Sequence, residues 1–397
     1  MRTVIMGGGI AGLCTALYLC LRGEECILVE KNYLGSGTTT KCAGMLHSGA
    51  RYIVNDPGIA KCLNQESQII KKIVSFAVGK QRGLFVILRD ADNNYLKNFE
   101  EGAKLVGIEI NKLSRQECLE LEPALGPEII GGYETPDVTI DPFLLIDAYK
   151  EELLDRGVKI LEKHELIKGS ITSDGKWKLF LRNENMTELI SILGDVIINA
   201  TGDSSSDIIS RLGGKFGVTY IHGSMAVLKE KIVNRVVSVC GPNTAGDVIT
   251  PSGQTSLIGS TWHELNHNQP VEMTNNDKDE VIRTASRIIP NIINIPIVHS
   301  FTGIRVHLSK SSRFQGQNSF NINRSFQIID HSQNNKLPEV YTILPGKLSF
   351  GRLAAEYAVN MIMTKRGEKA SYATRDYLLR VPRKKSGITL DMVSNLK

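Results

Sequence analysis

A glycine-rich turn between two apolar strands constrains the fold of this chain more than any other feature. Residues 3–31 read TVIMGGGIAGLCTALYLCLRGEECILVEK, a short β-rich run followed by Gly7, Gly9 and Gly12 in the spacing G-x-G-x-x-G. An apolar helix and a second apolar strand, which ends at Glu30, follow the turn. This order of elements predicts a Rossmann-type dinucleotide-binding unit.

Each part of this signature has a physical role in holding a diphosphate. Gly7 permits a tight turn, Gly9 lets the backbone approach the phosphates, and Gly12 lets the helix pack closely on the strand. The N-terminus of the helix offers N–H groups and the positive end of its dipole to the same phosphates. Glu30 follows at the distance expected for an acid that accepts hydrogen bonds from the ribose hydroxyls.

Two further stretches favour FAD over NAD as the dinucleotide. The first, KNYLGSGTTTKCAGMLHSG at residues 31–49, is a loop rich in Gly and Thr that suits an extended cofactor. The second is DVIINATGDSSSD, in which an apolar strand ends at Ala200, Thr201 and Gly202. A glycine there lets a second backbone segment approach the nucleotide. We therefore expect non-covalently bound FAD.

Composition and charge narrow the classes of function. Seven scattered cysteines without a C-x-x-C pair argue against a disulfide framework and against zinc or iron–sulfur ligation, so we expect no metal and a cytoplasmic setting. The net charge of +5 belongs to residues 365–397, where nine Lys and Arg accompany three Asp and Glu. A solvated extension is the favoured interpretation of this tail over docking on anionic lipid or an acidic partner. Nucleic acid is not an expected partner.

Helix and strand signals predict an α/β fold for the FAD-binding part and an α+β architecture for the chain overall. A Rossmann-type FAD-binding domain is interrupted by a mainly antiparallel β substrate domain. Asp141, Pro142 and Gly157 indicate the N-cap, the first turn and the end of one helix. Shorter β-like runs with polar turns indicate the substrate domain. The predicted boundaries are 1–79, 141–212 and 325–364 for the FAD-binding domain, 80–140 and 213–324 for the substrate domain, and 365–397 for the basic tail.

A series of short motifs suggests a family. MLHSGARY, LEPAL, TIDPF, SLIGST, FTGIR and PGKLSFGRLAAE occur in this order. With the N-terminal signature they resemble the FAD-dependent glycerol-3-phosphate dehydrogenases of the D-amino-acid oxidase superfamily, and most of all the catalytic A-subunits of the bacterial anaerobic enzymes. The resemblance covers roughly residues 1–375, and it implies that the Gly-Lys-Leu run at residues 346–348 opens the last long helix. No cysteine follows Cys240, so we expect the flavin site of these A-subunits but not their C-terminal cysteine-rich domain or iron–sulfur path.

The resemblance implies oxidation of sn-glycerol 3-phosphate to dihydroxyacetone phosphate, with the hydride passed to flavin N5. His47 matches the active-site histidine of the family, and Lys347 matches the lysine beside the reacting carbon. A neutral histidine has a pKa suited to accepting the alcohol proton near neutral pH. Lys347 is the alternative base if burial lowers its pKa, and otherwise it stabilises the developing alkoxide. Arg305 is included among the catalytic residues.

The resemblance also implies a phosphate site. Arg51 and Tyr52 match residues that line it, and Arg305 and Arg324 match two arginines that clamp the phosphate. Arginine suits a phosphate dianion because its planar fork binds two oxygens at once and stays charged. These residues are far apart in sequence, as expected for a pocket assembled from several elements.

The predicted FAD contacts combine the glycine signature with positions carried over from the family. They are Gly7, Gly9, Ile10, Ala11, Gly12, Glu30, Lys31, Thr38, Thr39, Thr40, Gly44, Leu46, Leu166, Ala200, Thr201, Gly202, Gly346, Lys347 and Leu348.

Two other functions stay open at this level. One is a FAD-dependent oxidase or dehydrogenase of a 2-hydroxy acid or an amino acid, because a carboxylate also favours an arginine partner. The other is a flavin-binding subunit that does no chemistry. The electron acceptor is also open: a respiratory quinone is the family expectation, with oxygen or an electron-transfer or membrane-anchoring partner as alternatives. A quinone would suit a peripheral protein on the inner face of the cell membrane.

Overall fold

We describe the fold from a computed structural model of the chain. The structure describes residues 1–183, 188–242, 244–265, 272–308, 325–333 and 335–383. Within these residues, no helix is both long enough and apolar enough to cross a lipid bilayer. Two compact units divide the chain, one made of Met1–Thr40, Phe143–Tyr220 and Ile304–Leu396, and the other mainly of Lys41–Pro142 and Ile221–Gly303.

Strands and helices alternate along the described residues. The strands are β1 Arg2–Met6, β2 Glu25–Val29, β3 Met45–Leu46, β4 Gly83–Leu88, β5 Asn111–Ser114, β6 Ile129–Thr135, β7 Val138–Thr139, β8 Lys159–Leu161, β9 His164–Ile171, β10 Trp177–Asn183, β11 Leu189–Gly194, β12 Val196–Asn199, β13 Val218–Leu228, β14 Val237–Val239, β15 Val248–Ser252, β16 Thr255–Gly259, β17 His263–Leu265, β18 Ile297–Leu308, β19 Gln327–Asp330 and β20 Val340–Leu344. The helices are α1 Ile10–Leu21, α2 Pro57–Ile73, α3 Asn93–Val106, α4 Arg115–Leu121, α5 Pro142–Asp155, α6 Ser205–Arg211, α7 Asn275–Ile288 and α8 Gly351–Lys365.

A largely parallel sheet forms the centre of the first unit. Among the described residues its order is β19-β20-β12-β1-β2-β8, with β1 parallel to both β2 and β12 and only β19 antiparallel to its neighbour. Val4, Ile27, Ile197 and Val340 fill one apolar core of this unit. Near-continuous apolar strands are typical of a parallel sheet that is covered on both faces. The predicted Rossmann-type architecture is therefore confirmed.

A small antiparallel sheet, β11-β10-β9, packs in the same unit. Trp177 and Leu179 on β10 join the same apolar core as Val4. The indole Nε1 of Trp177 donates a hydrogen bond of 2.8 Å to the carbonyl of Pro338. The bond satisfies the one polar atom of a large buried side chain, as a buried indole requires.

The second unit is built on a mixed, mainly antiparallel sheet. In the described part of the chain its order is β17-β13-β16-β15-β14-β4-β6-β5, with β18 also paired to β13. β14 and β4 are parallel, whereas β4–β6, β5–β6, β14–β15, β15–β16 and β13–β16 are antiparallel. Val281, Ala285 and Ile288 of α7 pack with Ile249 and Ile258 of the sheet. The predicted antiparallel β region is therefore present.

The compact units differ from the predicted domain boundaries in several places. Residues 41–79 lie in the second unit, because β3 pairs with β7 and α2 packs against α3. The predicted boundary placed them with the nucleotide-binding turn. Residues 213–220 and the described residues after 303 lie in the first unit. Local patterns of apolar residues did not reveal these long-range pairings.

The described part of the basic tail is tied to the first unit by ion pairs. Arg380 contacts Glu152 at 3.0 Å, and Arg383 contacts Asp155 at 2.7 Å, both acids lying in α5. Arg375 contacts the fully buried Glu356 of α8 at 2.9 Å. Up to residue 383 most of this tail is exposed to solvent, and Arg375, Arg380 and Arg383 also have acidic partners within the chain, which charge counting did not predict.

Candidate active site

The glycine turn, residues 7–12, takes its shape from close backbone packing in the first unit. Gly7 has a φ of +103°, and a Cβ atom there would lie 2.6 Å from the Ala200 carbonyl oxygen. A Cβ at Gly12 would lie 1.9 Å from the Gly7 carbonyl oxygen. The Gly7 N–H donates to the Val29 carbonyl at 2.8 Å. Only glycine fits these positions, so the turn stays tight and its backbone remains open to a ligand.

Helix α1 begins at this turn with an N-terminus suited to an anion. Its N-cap is Gly9, which offers no side-chain cap, and its first turn contains no acidic residue. The hydroxyl of Thr39 accepts a hydrogen bond of 3.0 Å from the Ile10 N–H. The turn N–H groups and the helix dipole together favour a phosphate group. Thr39 is thus placed beside the predicted diphosphate position.

Glu30 is fixed at the end of β2 by two backbone donors. One carboxylate oxygen accepts from the Gly8 N–H at 2.7 Å, and the other accepts from the Asn32 N–H at 2.8 Å. Burial raises the pKa of this carboxyl, although both donors act in the opposite direction. A carboxylate has about four lone-pair positions, so two protein bonds leave acceptor capacity for ribose hydroxyls. The ribose role of Glu30 stays a prediction.

The second predicted nucleotide-binding segment, residues 200–202, lies at the carboxyl end of β12, next to the glycine turn. We call it the β12 anchor. The Ala200 N–H donates to the Met6 carbonyl at 2.7 Å, and Thr201 bonds the Asn199 side chain. Lys31, after β2, reaches Ser204 with a hydrogen bond of 3.0 Å. The carboxyl ends of parallel strands are where α/β sheets bind nucleotides. The structure thus brings together stretches of sequence that lie far apart in the chain.

Other predicted FAD contacts have partners within the first unit. Thr38 donates to the Ile304 carbonyl and Thr40 to the Gly35 carbonyl, both at 2.7 Å. Leu166 lies on β9 with its side chain in the apolar core, and its carbonyl accepts from Arg211. These side chains thus have partners within the protein, so a contact of Thr38, Thr40 or Leu166 with FAD would come from backbone groups. Their FAD role stays a prediction.

The Gly346–Leu348 segment differs from the expected start of a long helix. Gly346 has a φ of +67°, and Lys347 is extended at φ −147° and ψ 153°. A short 3-10 turn covers Leu348–Phe350, and α8 begins only at Gly351. A Cβ at Gly351 would lie 2.5 Å from the Ile10 side chain, so α8 packs closely on α1. The extended Lys347 backbone explains why the α-helix does not start there.

In the second unit, the loop of residues 47–52, which we call the HSGARY loop, is held by a buried carboxylate. Asp137 accepts from the Ser48 N–H at 3.0 Å and from the Ser48 hydroxyl at 2.7 Å. Burial raises the pKa of Asp137, against the effect of its hydrogen bonds with Ser48. Gly49 has a φ of +95°, and a Cβ there would lie 2.2 Å from the Ala60 carbonyl oxygen. The backbone next to His47 is therefore tightly constrained.

His47 and Tyr52 lie together at the two ends of this loop. Their rings are edge-to-face, with centroids 5.9 Å apart. Tyr52 is buried and His47 is partly exposed. Leu46 pairs with Val138 between β3 and β7, and the Gly44 carbonyl accepts from the Ile140 N–H at 2.8 Å. The predicted FAD contacts Gly44 and Leu46 thus support the strand that leads to His47.

Arg51 has partners that the sequence did not predict. Its guanidinium donates to both carboxylate oxygens of Asp247, at 3.0 and 2.8 Å, and also bonds the Ser238 hydroxyl. The two charged side chains are 10% and 3% exposed. Burial acts to lower the pKa of Arg51, but the nearby Asp247 carboxylate acts against it and the pKa is raised. This pair satisfies the charge of Arg51 and weighs against its prediction as a phosphate ligand.

Sequence reasoning missed Asp137, Ser238 and Asp247. None stands near the HSGARY loop in sequence, and none belongs to a motif that predicts a contact with this loop. Arg305 lies on β18 and is half-buried, as is Lys347. Arg324 falls outside the described residues.

Comparison with known proteins agrees with this fold and cofactor site. The family model for FAD dependent oxidoreductase (DAO) matches residues 2–329. The chain is 29% identical over 398 residues to the A-subunit of the anaerobic glycerol-3-phosphate dehydrogenase of Escherichia coli (strain K12), covering 99% of this chain and 72% of that relative.

Solved structures show the same fold. The glycerol-3-phosphate dehydrogenase from Bacillus halodurans complexed with FAD has a TM-score of 0.70 at 18% identity, covering 96% of this chain and 67% of that one. The glycine oxidase from Geobacillus kaustophilus has a TM-score of 0.69 at 17% identity, covering 96% and 99%.

The glycine turn, helix α1 and the residues after β12 define a dinucleotide-binding protein. The chain belongs to the FAD-dependent oxidoreductase (DAO) family, and FAD is its cofactor.

Proposed function

We propose that this enzyme oxidises sn-glycerol 3-phosphate to dihydroxyacetone phosphate. The observation that carries the proposal is the similarity to the A-subunit of an anaerobic glycerol-3-phosphate dehydrogenase along 99% of this chain. The HSGARY loop supports it, because the loop holds a histidine on a constrained backbone. FAD supplies the hydride acceptor when it is bound.

His47 is proposed to take the proton of the substrate hydroxyl. Its backbone is fixed on one side by the bonds between Ser48 and Asp137 and by the glycine at 49, and its ring packs on Tyr52. A constrained backbone and a packed ring favour proton transfer, because the base must lie within hydrogen-bond reach of the proton. Lys347 is proposed to stabilise the alkoxide or to serve as the base instead.

Arg305 and Arg324 are proposed as the main phosphate ligands. Arg51 and Tyr52 remain predicted neighbours of the phosphate. Arg51 would have to share its fork with the Asp247 carboxylate to bind a second anion, and that carboxylate would repel a phosphate dianion. We therefore propose that Arg51 contributes mainly by positioning the HSGARY loop.

The proposed electron acceptor is a quinone, reached at a peripheral position on the membrane or through a partner protein. Oxygen is the second candidate. Measuring oxygen consumption against reduction of a soluble quinone, with the same enzyme and substrate, separates the two. A 2-hydroxy acid or amino acid as substrate stays the alternative activity, since the fold is shared with a glycine oxidase.

Turnover with a panel of substrates tests the proposal. We expect activity with sn-glycerol 3-phosphate and a dye acceptor, and little with glycerol, lactate or glycine. His47→Asn should lower kcat by about 10²–10⁴-fold, the usual range for removing a general base, with unchanged FAD content. His164→Asn, at a partly exposed histidine on β9, is the matched control and should keep full activity. Equal activity of His47→Asn and wild type would refute the role of His47. Turnover of lactate or glycine alone would refute the substrate.

A further inference from the structure

A cluster of histidine and carboxylate side chains in the second unit takes no part in the proposed reaction. His222 lies on β13, His263 on the neighbouring strand β17, and Asp277 in the first turn of α7. One ligand atom from each of the three residues lies within 4.8 Å of the other two. The side chains converge from three separate elements, which a solvated surface does not require.

We propose that His222, His263 and Asp277 form a zinc-binding site. Two imidazole nitrogens with one carboxylate oxygen are typical zinc ligands, whereas magnesium and calcium prefer oxygen ligands only. Zinc–ligand bonds of about 2.0–2.1 Å at tetrahedral angles place the ligand atoms roughly 3.3 Å apart. The Nε2 of His263 and the Oδ1 of Asp277 are already 2.9 Å apart, so two ligands stand at close to that spacing.

The carboxylate is oriented for this role by its own neighbours. The second oxygen of Asp277 accepts from the Thr274 N–H at 2.8 Å and from the Thr274 hydroxyl at 2.9 Å. Its first oxygen is therefore directed to His263. Hydrogen bonds of this kind fix ligands in metal sites and contribute about 10–100-fold to affinity.

The rings and a second acid complete the arrangement. The rings of His222 and His263 are edge-to-face with centroids 5.1 Å apart. Glu280, one turn after Asp277, has a carboxylate oxygen 3.9 Å from the Nε2 of His263. Glu280 or a water molecule supplies the fourth ligand. The ion would join β13, β17 and the start of α7, and so stabilise the second unit.

The sequence predicted no metal in this chain, because its seven cysteines lack metal-binding spacing. The two histidines stand 41 residues apart at positions 222 and 263 and form no recognisable motif. Only the pairing of β13 with β17 and the position of α7 bring them together. The proposal does not depend on the substrate of the enzyme.

Zinc binding to the metal-free enzyme tests the proposal. The FAD-loaded, tag-free protein is treated with chelator, dialysed, and titrated with Zn²⁺ by equilibrium dialysis with elemental analysis. We expect one tightly bound zinc per chain and a rise in Tm of at least about 2 °C on zinc addition. Co²⁺ in place of zinc should give the visible absorption of a tetrahedral nitrogen and oxygen site.

His263→Ala is the main variant, because this side chain is 47% exposed and its loss should not prevent folding. We expect at least 10-fold weaker zinc binding and loss of the cobalt absorption. His222→Ala should have the same effect, and His164→Ala on β9 is the matched histidine control that should bind like wild type. Absence of stoichiometric zinc binding in wild type, or undiminished binding in His263→Ala, would overturn the proposal.

Discussion

The glycine turn and the HSGARY loop are constrained by different means. In the glycine turn, the close approach of Gly12 to the Gly7 carbonyl and of Gly7 to Ala200 leaves no room for a Cβ. In the HSGARY loop, the carboxylates of Asp137 and Asp247 hold the chain through hydrogen bonds and a buried ion pair. The first loop is shaped by the absence of side chains, whereas the second has one such glycine, Gly49, and is held in addition by charged side chains from distant sequence.

This difference decides which contacts of each loop a sequence can reveal. Glycine spacing is a local pattern with a local physical cause, so the turn could be recognised from the residues alone. Asp247 is nearly two hundred residues from Arg51, and no local pattern links them. The same difference predicts that the two loops fail in different ways when they are altered.

Gly7→Ala is expected to have the largest effect. At a φ of +103° its Cβ would lie 2.6 Å from the Ala200 carbonyl oxygen, so the turn and the β12 anchor must separate. We expect a loss of FAD content of at least about 10-fold, a conservative figure for displacing the backbone from a diphosphate site. The ratio of flavin to protein absorbance measures it.

Gly23→Ala is the matched control for Gly7→Ala. Gly23 also has a positive φ, +77°, but a Cβ there meets no atom within 4 Å. The cost should be about 1–2 kcal/mol of backbone strain with normal FAD content. If both variants retain FAD equally, close packing does not shape the glycine turn.

Asp247→Ala is expected to have the next largest effect, through charge rather than packing. It leaves the buried guanidinium of Arg51 without its carboxylate partner, which should cost about 3–5 kcal/mol of unfolding free energy. Urea unfolding followed by circular dichroism measures the change. The double variant Arg51→Met with Asp247→Leu should recover most of the loss.

Glu25→Ala is the control for this ion pair. Its pair with Arg2 is about half exposed, so its removal should cost less than about 1 kcal/mol. Equal small losses for Glu25→Ala and Asp247→Ala would show that the pair of Arg51 with Asp247 does not stabilise the loop.

Asp137→Asn is expected to have the smallest effect, visible mainly as a change in pH dependence. Burial raises the pKa of Asp137 in the folded chain, so the folded state binds its proton more tightly than the unfolded state does. The contribution of Asp137 to stability is therefore lost as the pH rises from about 3.8 through the raised pKa. Asparagine does not titrate, so the variant lacks this pH-dependent part of the unfolding free energy. The free energy of unfolding of both proteins is measured from pH 4 to 8. An identical dependence of this free energy on pH in wild type and variant would contradict the raised pKa.

Much of the fold could be predicted from the sequence. The parallel sheet, the antiparallel insert and the helix after Asp141 each have a periodic or capping signal, and α5 covers Pro142–Asp155 as expected. The start of α8 was misplaced because Lys347 is extended and a 3-10 turn precedes the α-helix, which the residue pattern does not show. The ion pairs of the tail arginines with acids of α5 and α8 could not be predicted, because charge counting does not show which charges meet.

For the candidate site, the prediction was sharpest where residues act through the backbone. The turn at Gly7 and Gly12 was identified together with its physical reason. The partners of Arg51 and the cluster of His222, His263 and Asp277 depend on strand pairing, which no local pattern specified. The family resemblance predicted that Arg51 lines the phosphate site, and the structure adds an ion pair with Asp247 that the resemblance did not indicate.

Anaerobic mixing of the FAD-loaded enzyme with sn-glycerol 3-phosphate tests the central claim most directly. Flavin absorbance near 450 nm reports transfer of the hydride without any assumption about the final electron acceptor. We predict rapid bleaching with sn-glycerol 3-phosphate and none with glycerol at the same concentration. A flavin that stays oxidised with sn-glycerol 3-phosphate but is bleached by a 2-hydroxy acid or an amino acid would contradict the proposed function.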